Sequence, residues 1–213
     1  MSSDRDSEPA LDEISARTLA HYEANASSFW EGTRDHDVTQ NIEALLGALP
    51  RRTGLRILDF GCGPGRDLLT FRERGHVPTG LDATPAFVQM ARANSGCVVL
   101  EQSFFDLDLG VALFDGVFAN ASLFHVPRAT LPRVLAELYR ALVPGGALFC
   151  SNPRSFDRDR EGYNGQRYGS YLTIDGWLEV ICAAGFAIEH RYLRPPNQPE
   201  AEQPWLAIVA RRV

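Results

Sequence analysis

Residues 56–67 read Arg56-Ile57-Leu58-Asp59-Phe60-Gly61-Cys62-Gly63-Pro64-Gly65-Arg66-Asp67. A short apolar run ends in an acid, and three glycines follow at alternate positions. The amphipathic stretch Leu68-Leu69-Thr70-Phe71 comes next. This pattern predicts a buried strand, a tight turn and the first turn of a helix. Glycine permits positive φ and close approach of a ligand to the main chain. The helix start behind it offers unpaired N–H groups. A dinucleotide fingerprint would need its third glycine where Arg66 stands, and here that glycine is Gly65. Asp59 places a carboxylate beside the loop, which repels a pyrophosphate and favours an ammonium.

Further elements follow in order. Val77-Pro78-Thr79-Gly80-Leu81-Asp82 is a second short strand ending in an acid. Asp82 lies about 20 residues after Gly61, the separation at which an acid reaches ribose hydroxyls in such sheets. It could also cap the helix near Pro85. Phe114–Asn120 and Leu138–Leu148 supply a strand and then a helix, Gly145-Gly146 turn and strand. Together these segments resemble the class I S-adenosylmethionine (SAM) methyltransferases over roughly residues 20–213. The stretch Tyr22–Trp30 resembles the aromatic entry helix of the family's small-molecule members.

The resemblance implies an α/β fold: a seven-stranded, mostly parallel, Rossmann-like sheet with helices on both faces and an antiparallel last strand. It implies SAM as cofactor and S-adenosylhomocysteine as product. The loop of Gly61, Cys62, Gly63 and Gly65 would wrap the methionine part. Asp59 would hold its amino group, directly or through water, with Asn120 and Ala121 offering carbonyls. Asp82 and Ala83 would lie at the ribose, and Tyr22 at the cofactor from the entry helix. The acid that often meets the adenine amino group is replaced by Ser103, beside Phe104, with Asp106 as the alternative.

The residues also predict the organisation. Residues 1–12 are polar and acidic and read as disordered. Residues 13–50 form an N-terminal helical cap: one helix from about 14 to 30, a loop, then a capping box at Asp37-Val38-Thr39-Gln40 opening a helix over 38–49. Residues 51–213 form the core. Strands are expected at 56–60, 77–82, 97–102, 116–120, 147–152, 186–193 and 205–212. Helices are expected at 66–74, 85–94, 131–142 and 174–184. This alternation predicts a parallel sheet covered on both faces. Residues 153–172 interrupt it as a polar acceptor loop.

Composition narrows the function. With 45% hydrophobic and 23% charged residues, the 213-residue chain reads as one ordinary globular domain. The net charge of −6 argues against nucleic acid as partner. The resemblance implies the same, because Ala121 and Ser122 stand where members acting on nucleobases or glutamine amides often carry two prolines after the Asn. No run is long enough to span a bilayer and no signal-peptide core is seen, so cytoplasmic residence is expected. All 21 basic residues are arginine, which excludes Schiff-base chemistry on lysine. Cys62, Cys97, Cys150 and Cys182 lack metal-ligand spacing and read as reduced thiols, mostly buried, with Cys62 a small filler. Arg34-Asp35-His36-Asp37 is better explained by capping and solvation than by a metal, so no metal is expected.

Candidate chemistry gathers at the strand ends. His125 and Tyr168 are the candidate groups that orient or deprotonate the nucleophile. Phe29, Trp30, Arg34 and His36 on the entry side, with Arg154, Arg167 and Tyr171 on the acceptor loop, are candidate acceptor contacts. Arginine grips carboxylates bidentately. The leading reading is therefore methyl transfer to a small polar acceptor, first an amine or imidazole nitrogen of a carboxylated, amino-acid-like molecule. O- or S-methylation and a non-catalytic SAM-binding partner protein remain alternatives, and a nicotinamide oxidoreductase is disfavoured by Arg66. A monomer or homodimer is expected.

Overall fold

The computed structural model describes residues 11–213. The disorder expected for residues 1–10 lies outside the described residues, whereas Leu11 and Asp12 already belong to the first helix. The cap comprises α1 (Leu11–Ala24), α2 (Ala26–Thr33) and α3 (Thr39–Gly47). One continuous helix was expected over 14–30, but the chain breaks at Asn25. Its side-chain Nδ2 donates to the His21 carbonyl at 2.7 Å. Asn competes in this way with the regular ladder. The expected capping box is not formed: the N-cap is Val38, with no side-chain cap bond, and Asp37 instead accepts the Thr39 N–H at 2.9 Å from one residue further out.

The core follows as β1 (Arg56–Phe60), α4 (Arg66–Glu73), β2 (Val77–Asp82), α5 (Pro85–Ser95), β3 (Val98–Glu101), β4 (Phe114–Asn120), α6 (Leu131–Ala141) and β5 (Leu142–Pro153). After these come β6 (Arg160–Asn164), β7 (Arg167–Tyr171), α7 (Ile174–Ala183), β8 (Phe186–Arg194) and β9 (Trp205–Arg212). Seven strands form one sheet in the order β3-β2-β1-β4-β5-β9-β8. The first five run parallel, and β9 lies antiparallel between β5 and β8. Strand order reverses between β1 and β4, where ligands of such sheets bind.

Alternating side chains sort the core into two layers. Leu58, Val117, Ala119, Leu148 and Cys150 pack beneath α6 and α7. Ile57, Phe118, Ala147 and Phe149 face the other way, against α3 and Phe71 of α4. Helix α6 buries Leu131, Val134, Leu135 and Leu138, a helical stripe of i, i+3, i+4 and i+7 spacing. Each such side chain contributes about 1.5–3 kcal/mol on full burial.

Two expectations are corrected. The 153–172 segment contains a β6–β7 hairpin, paired from Arg160↔Tyr171 to Asn164↔Arg167. Its two-residue turn, Gly165-Gln166, has Gly165 at φ 63°, as a tight hairpin with glycine first requires. Of the four free cysteines, Cys62 and Cys150 are buried, but Cys182 is exposed and Cys97 only partly buried. No helix among the described residues is long and apolar enough to cross a membrane.

Candidate functional site

The glycines of the β1–α4 turn have different physical causes. A Cβ on Gly61 would fall 2.5 Å from the Ser122 Cβ and 3.1 Å from the Phe104 ring. Gly61 therefore lets the loops after β1, β3 and β4 close on one another. A Cβ on Gly65 would fall 2.7 Å from the Ala91 Cα, so this glycine lets α4 approach α5. Gly63, at φ 51°, is different: its nearest neighbour would be Phe29 at 3.7 Å. Its missing side chain faces open space, a cradle that a larger residue would fill.

Asp59 ends β1 behind this loop. It is 2% exposed, and its Oδ2 has no hydrogen-bond partner. Burial pushes its pKa well above the usual carboxylate range, and the nearby Asp67 charge adds to the effect. The opposing cation, Arg66, is already held by Asp67 through two contacts of 2.7 and 2.9 Å. Arg66 also donates to the Thr33 carbonyl at 2.8 Å. A buried, unpaired carboxylate is unfavourable alone and suits a cationic group brought to the loop.

Asp82 has a structural and an available side. Its Oδ2 accepts the Gly63 N–H at 3.0 Å and its Oδ1 the Thr84 N–H at 2.9 Å. Burial raises its pKa, and these hydrogen bonds oppose the rise. Each oxygen retains a lone pair for a hydroxyl. Ser103 accepts the Phe105 N–H at 3.1 Å, which shapes the loop after β3. Phe104 stacks on Phe60 at 4.2 Å between centroids.

Two cavities open above these strand ends. The smaller, about 100 Å³, is lined by Asp82, Ala83, Ser103, Phe104, Tyr22 and His125 among others. The larger, about 550 Å³, is lined by Cys62, Asn120, Trp30, His36, Arg194 and Trp205 among others. Phe29, Gly61, Gly63 and Ala121 belong to both linings and form their common wall. Asp106 lines neither. Ala121 holds φ 59° and its N–H donates to the Ser151 carbonyl at 2.8 Å. Asn120 accepts from the Asn41 side chain at 2.9 Å.

His125 sits in a short 3₁₀ turn after β4, Leu123–His125. Its Nδ1 is 2.7 Å from the Tyr168 carbonyl oxygen and its Nε2 is 2.8 Å from the Tyr22 hydroxyl. A carbonyl only accepts, so Nδ1 carries the proton and Nε2 accepts from Tyr22. Burial lowers the imidazole pKa to about 4, opposed by the Tyr168 carbonyl and assisted by the Arg167 charge. Burial raises the Tyr22 pKa, with Arg167 opposing. Tyr168 gives His125 its carbonyl, while its ring packs edge-on against Tyr163.

The other candidates separate. Arg34 is exposed beside Asp35. Arg154 is 8% exposed, and its guanidinium donates to the carbonyls of Gln203 and Glu200 at 2.9 and 2.6 Å. It anchors the link between β8 and β9, away from both cavities. Arg167 lies 5.9 Å from the Tyr22 ring centroid. Among the described residues it forms no ion pair. Tyr171 stands 6.2 Å from Phe124. Neither Arg167, Tyr168 nor Tyr171 lines a cavity.

Helix α1 is fastened over the site. Thr18 accepts the Tyr168 N–H at 3.1 Å, and Glu23 accepts the Ala86 N–H at 2.9 Å. Arg17 donates to the Gln166 side chain and the Gly165 carbonyl. Sequence reading missed Thr18, Phe87, Arg194 and Trp205, which carry no local motif. Among the described residues, no group of three or more His, Cys, Asp or Glu side chains is placed to hold a metal ion.

Residues 57–146 match the model of a family described as a methyltransferase domain. The chain is similar to a malonyl-[acyl-carrier protein] O-methyltransferase of Serratia marcescens, 33% identical over 197 residues, covering 87% of this chain and 76% of that protein. A second protein so described, from Pectobacterium atrosepticum, is 34% identical over 107 residues, covering 50% of this chain and only 42% of its own length. Among solved structures, the Burkholderia thailandensis 1,6-didemethyltoxoflavin-N1-methyltransferase superposes with a TM-score of 0.79 at 25% identity. The superposition covers 96% of this chain and 91% of that one, which holds 1,6-didemethyltoxoflavin and S-adenosylhomocysteine.

Proposed function

The chain belongs to the class I SAM-dependent methyltransferases, and from that premise we propose that it methylates a small anionic metabolite at an atom that arrives unprotonated. The observation that carries this reading is the pair of cavities meeting along Phe29, Gly61, Gly63 and Ala121, with the hydrogen-bonded Tyr22 and His125 lining the smaller one.

The cofactor would span both cavities, its adenosine at Asp82, Ala83, Ser103 and Phe104 in the smaller and its methionine end along the glycine loop, Cys62 and Asn120, in the near part of the larger. Asp59, buried behind the loop and lining neither cavity, would supply the charge for its ammonium, Asp82 would accept from its ribose, and Ser103 and Phe104 would meet its base. When bound, it supplies a methyl group on a sulfonium whose departure leaves a neutral sulfide. The protein therefore has no leaving group to protonate, and its work is alignment and exclusion of water. Tyr22, Phe29 and Phe87 form an aromatic cluster at 5.1–5.5 Å centroid spacings, which keeps that wall dry.

The state of His125 selects the nucleophile. With a pKa of about 4 it is neutral near pH 7, and its Nε2 is covered by the Tyr22 hydroxyl. Any proton from the acceptor would pass to the Tyr22 oxygen while Tyr22 passes its own to Nε2. Protonating an imidazole about three units above its pKa costs roughly 4 kcal/mol, which makes this route weak. Tyr22 and His125 are better suited to orienting the nucleophile than to deprotonating it. An imidazole-like ring nitrogen fits first, because a saturated amine would arrive protonated. A carboxylate oxygen is the second reading, supported by the same missing base and by likeness to O-methyltransferases.

Assaying S-adenosylhomocysteine release against heteroaromatic acids and simple carboxylic acids tests this. Turnover of either class, with a rate flat between pH 6 and 8, is expected. Turnover confined to phenols or alkylamines, rising steeply with pH, would overturn the reading.

A further inference from the structure

The larger cavity extends well past the glycine loop. Its far wall comes from the C-terminal strands. Ser151 ends β5, Arg194 ends β8 and Trp205 opens β9. Arg194 and Trp205 are register partners on adjacent antiparallel strands, so their side chains leave the same face of the sheet. Trp30 and His36 of the cap form the opposite wall. Trp205 also packs edge-on against Phe124, at 6.3 Å and 87°, and Phe124 adjoins His125. An aromatic path thus leads from this wall to the histidine.

The charges in this cavity are unequally used. Arg66 is neutralised by Asp67. Arg194 donates one Nη2 hydrogen bond to the Asp37 carbonyl at 3.1 Å, and the exposed Asp37 carboxylate, also in this lining, feels its charge without forming an ion pair with it. Among the described residues Arg194 forms no ion pair. A partly buried guanidinium with free N–H groups beside an indole fits a carboxylate whose carbon skeleton is flat. The carboxylate meets the fork, and the π-system lies against the ring.

We infer that the far part of the larger cavity, beyond Cys62 and Asn120, is the acceptor's, and that Arg194 and Trp205 there select a planar, aromatic or conjugated carboxylate. This rests on the methyltransferase reading and deepens it. It also transfers the carboxylate grip from Arg167, which lines neither cavity, to Arg194.

Benzoate and benzamide, equal in shape and different in charge, are suitable probes. Calorimetry on protein saturated with S-adenosylhomocysteine should show benzoate binding at least about tenfold more tightly than benzamide. Arg194→Gln should reduce benzoate affinity by about tenfold or more and leave S-adenosylhomocysteine affinity within about twofold, which also reports an intact fold. Arg194→Lys should fall between the two, keeping the charge without the fork. Equal benzoate affinity in wild type and Arg194→Gln would overturn the proposal. So would a tenfold loss of S-adenosylhomocysteine affinity in that variant, which would make Arg194 a holder of the cofactor's own carboxylate. Absence of S-adenosylhomocysteine binding to the wild-type protein would instead sink the methyltransferase reading beneath it.

Discussion

The Tyr22 hydroxyl donates to Nε2 of His125 at 2.8 Å, joining the first helix to the turn after β4. His125 in turn donates through Nδ1 to Tyr168 on the hairpin. One neutral imidazole therefore fastens helix, sheet end and hairpin together. Protonation at Nε2 would replace its acceptor with a donor and break the contact with Tyr22.

The first prediction follows from that conflict. His125 has a folded pKa of about 4, below the ordinary value of 6.5. Between these values the unfolded chain binds a proton that the folded chain does not, so stability falls as pH drops from about 6.5 toward 4. The loss is at most roughly 2–3 kcal/mol, because the ring is partly reachable by water. Urea unfolding at a series of pH values should show this acid limb in wild type and a shallower one in His125→Gln. Parallel limbs would refute the assignment.

Asp59 carries the opposite sign. Its folded pKa lies above the unfolded one, so the folded chain retains a proton that the unfolded chain has released. Its contribution to stability therefore diminishes as pH rises past the ordinary carboxylate value. Asp59→Asn should melt higher than wild type near pH 7 without ligand, yet bind S-adenosylhomocysteine about tenfold more weakly or worse. Thermal melts with and without ligand read both effects. Unchanged affinity would remove Asp59 from cofactor binding.

Asp82→Ala removes the proposed ribose acceptor and two main-chain anchors, to Gly63 and Thr84. Hydrogen bonds to a charged group are worth about 1.5–3 kcal/mol each. Affinity for S-adenosylhomocysteine should fall by roughly ten- to a hundredfold. Calorimetry showing wild-type affinity in a folded variant would exclude the ribose role.

Gly63 and Gly65 should fail differently. Gly63→Val meets only Phe29 at ordinary contact distance, so despite the strain of a β-branched residue at φ 51° it should abolish cofactor binding while the protein still folds. Gly65→Ala drives a methyl group into the Ala91 backbone at φ 89°, so it should cost more stability. Comparing melting temperature with ligand affinity for both variants checks the contrast. Normal binding by Gly63→Val would displace the cofactor from this loop.

The legible parts of this molecule were those whose causes are local. The glycine loop needs positive φ and a missing Cβ at fixed positions, and Asp82 follows by the length of one helix and one strand. The alternation of strands and helices revealed the parallel sheet, and the family resemblance its antiparallel end. Arg194 and Trp205 were hidden because only the insertion of β9 between β5 and β8 brings them to the cavity. Arg154 looked equally suitable in sequence, yet its guanidinium turns to the carbonyls of Glu200 and Gln203. The hairpin was missed because Arg167-Tyr168-Gly169-Ser170-Tyr171 is polar at positions where burial was not foreseeable, although Ser170 is fully buried. Asn25 broke the entry helix through one side-chain bond that composition does not reveal.

The position of β9 also bears on how the chain is made. In the finished sheet Leu148 of β5 lies between Val117 of β4 and Ala210 of β9. Synthesis delivers β5 and then β8 before β9 exists. Since β8 pairs only with β9, it offers β5 no substitute. The outer edge of a buried, apolar strand must therefore wait unpaired while some fifty further residues emerge, at about 5–20 residues per second. Such an edge invites pairing with other chains. Residues 205–212 end that interval, and slower translation through 154–204 would lengthen the nascent chain's exposure to misassembly.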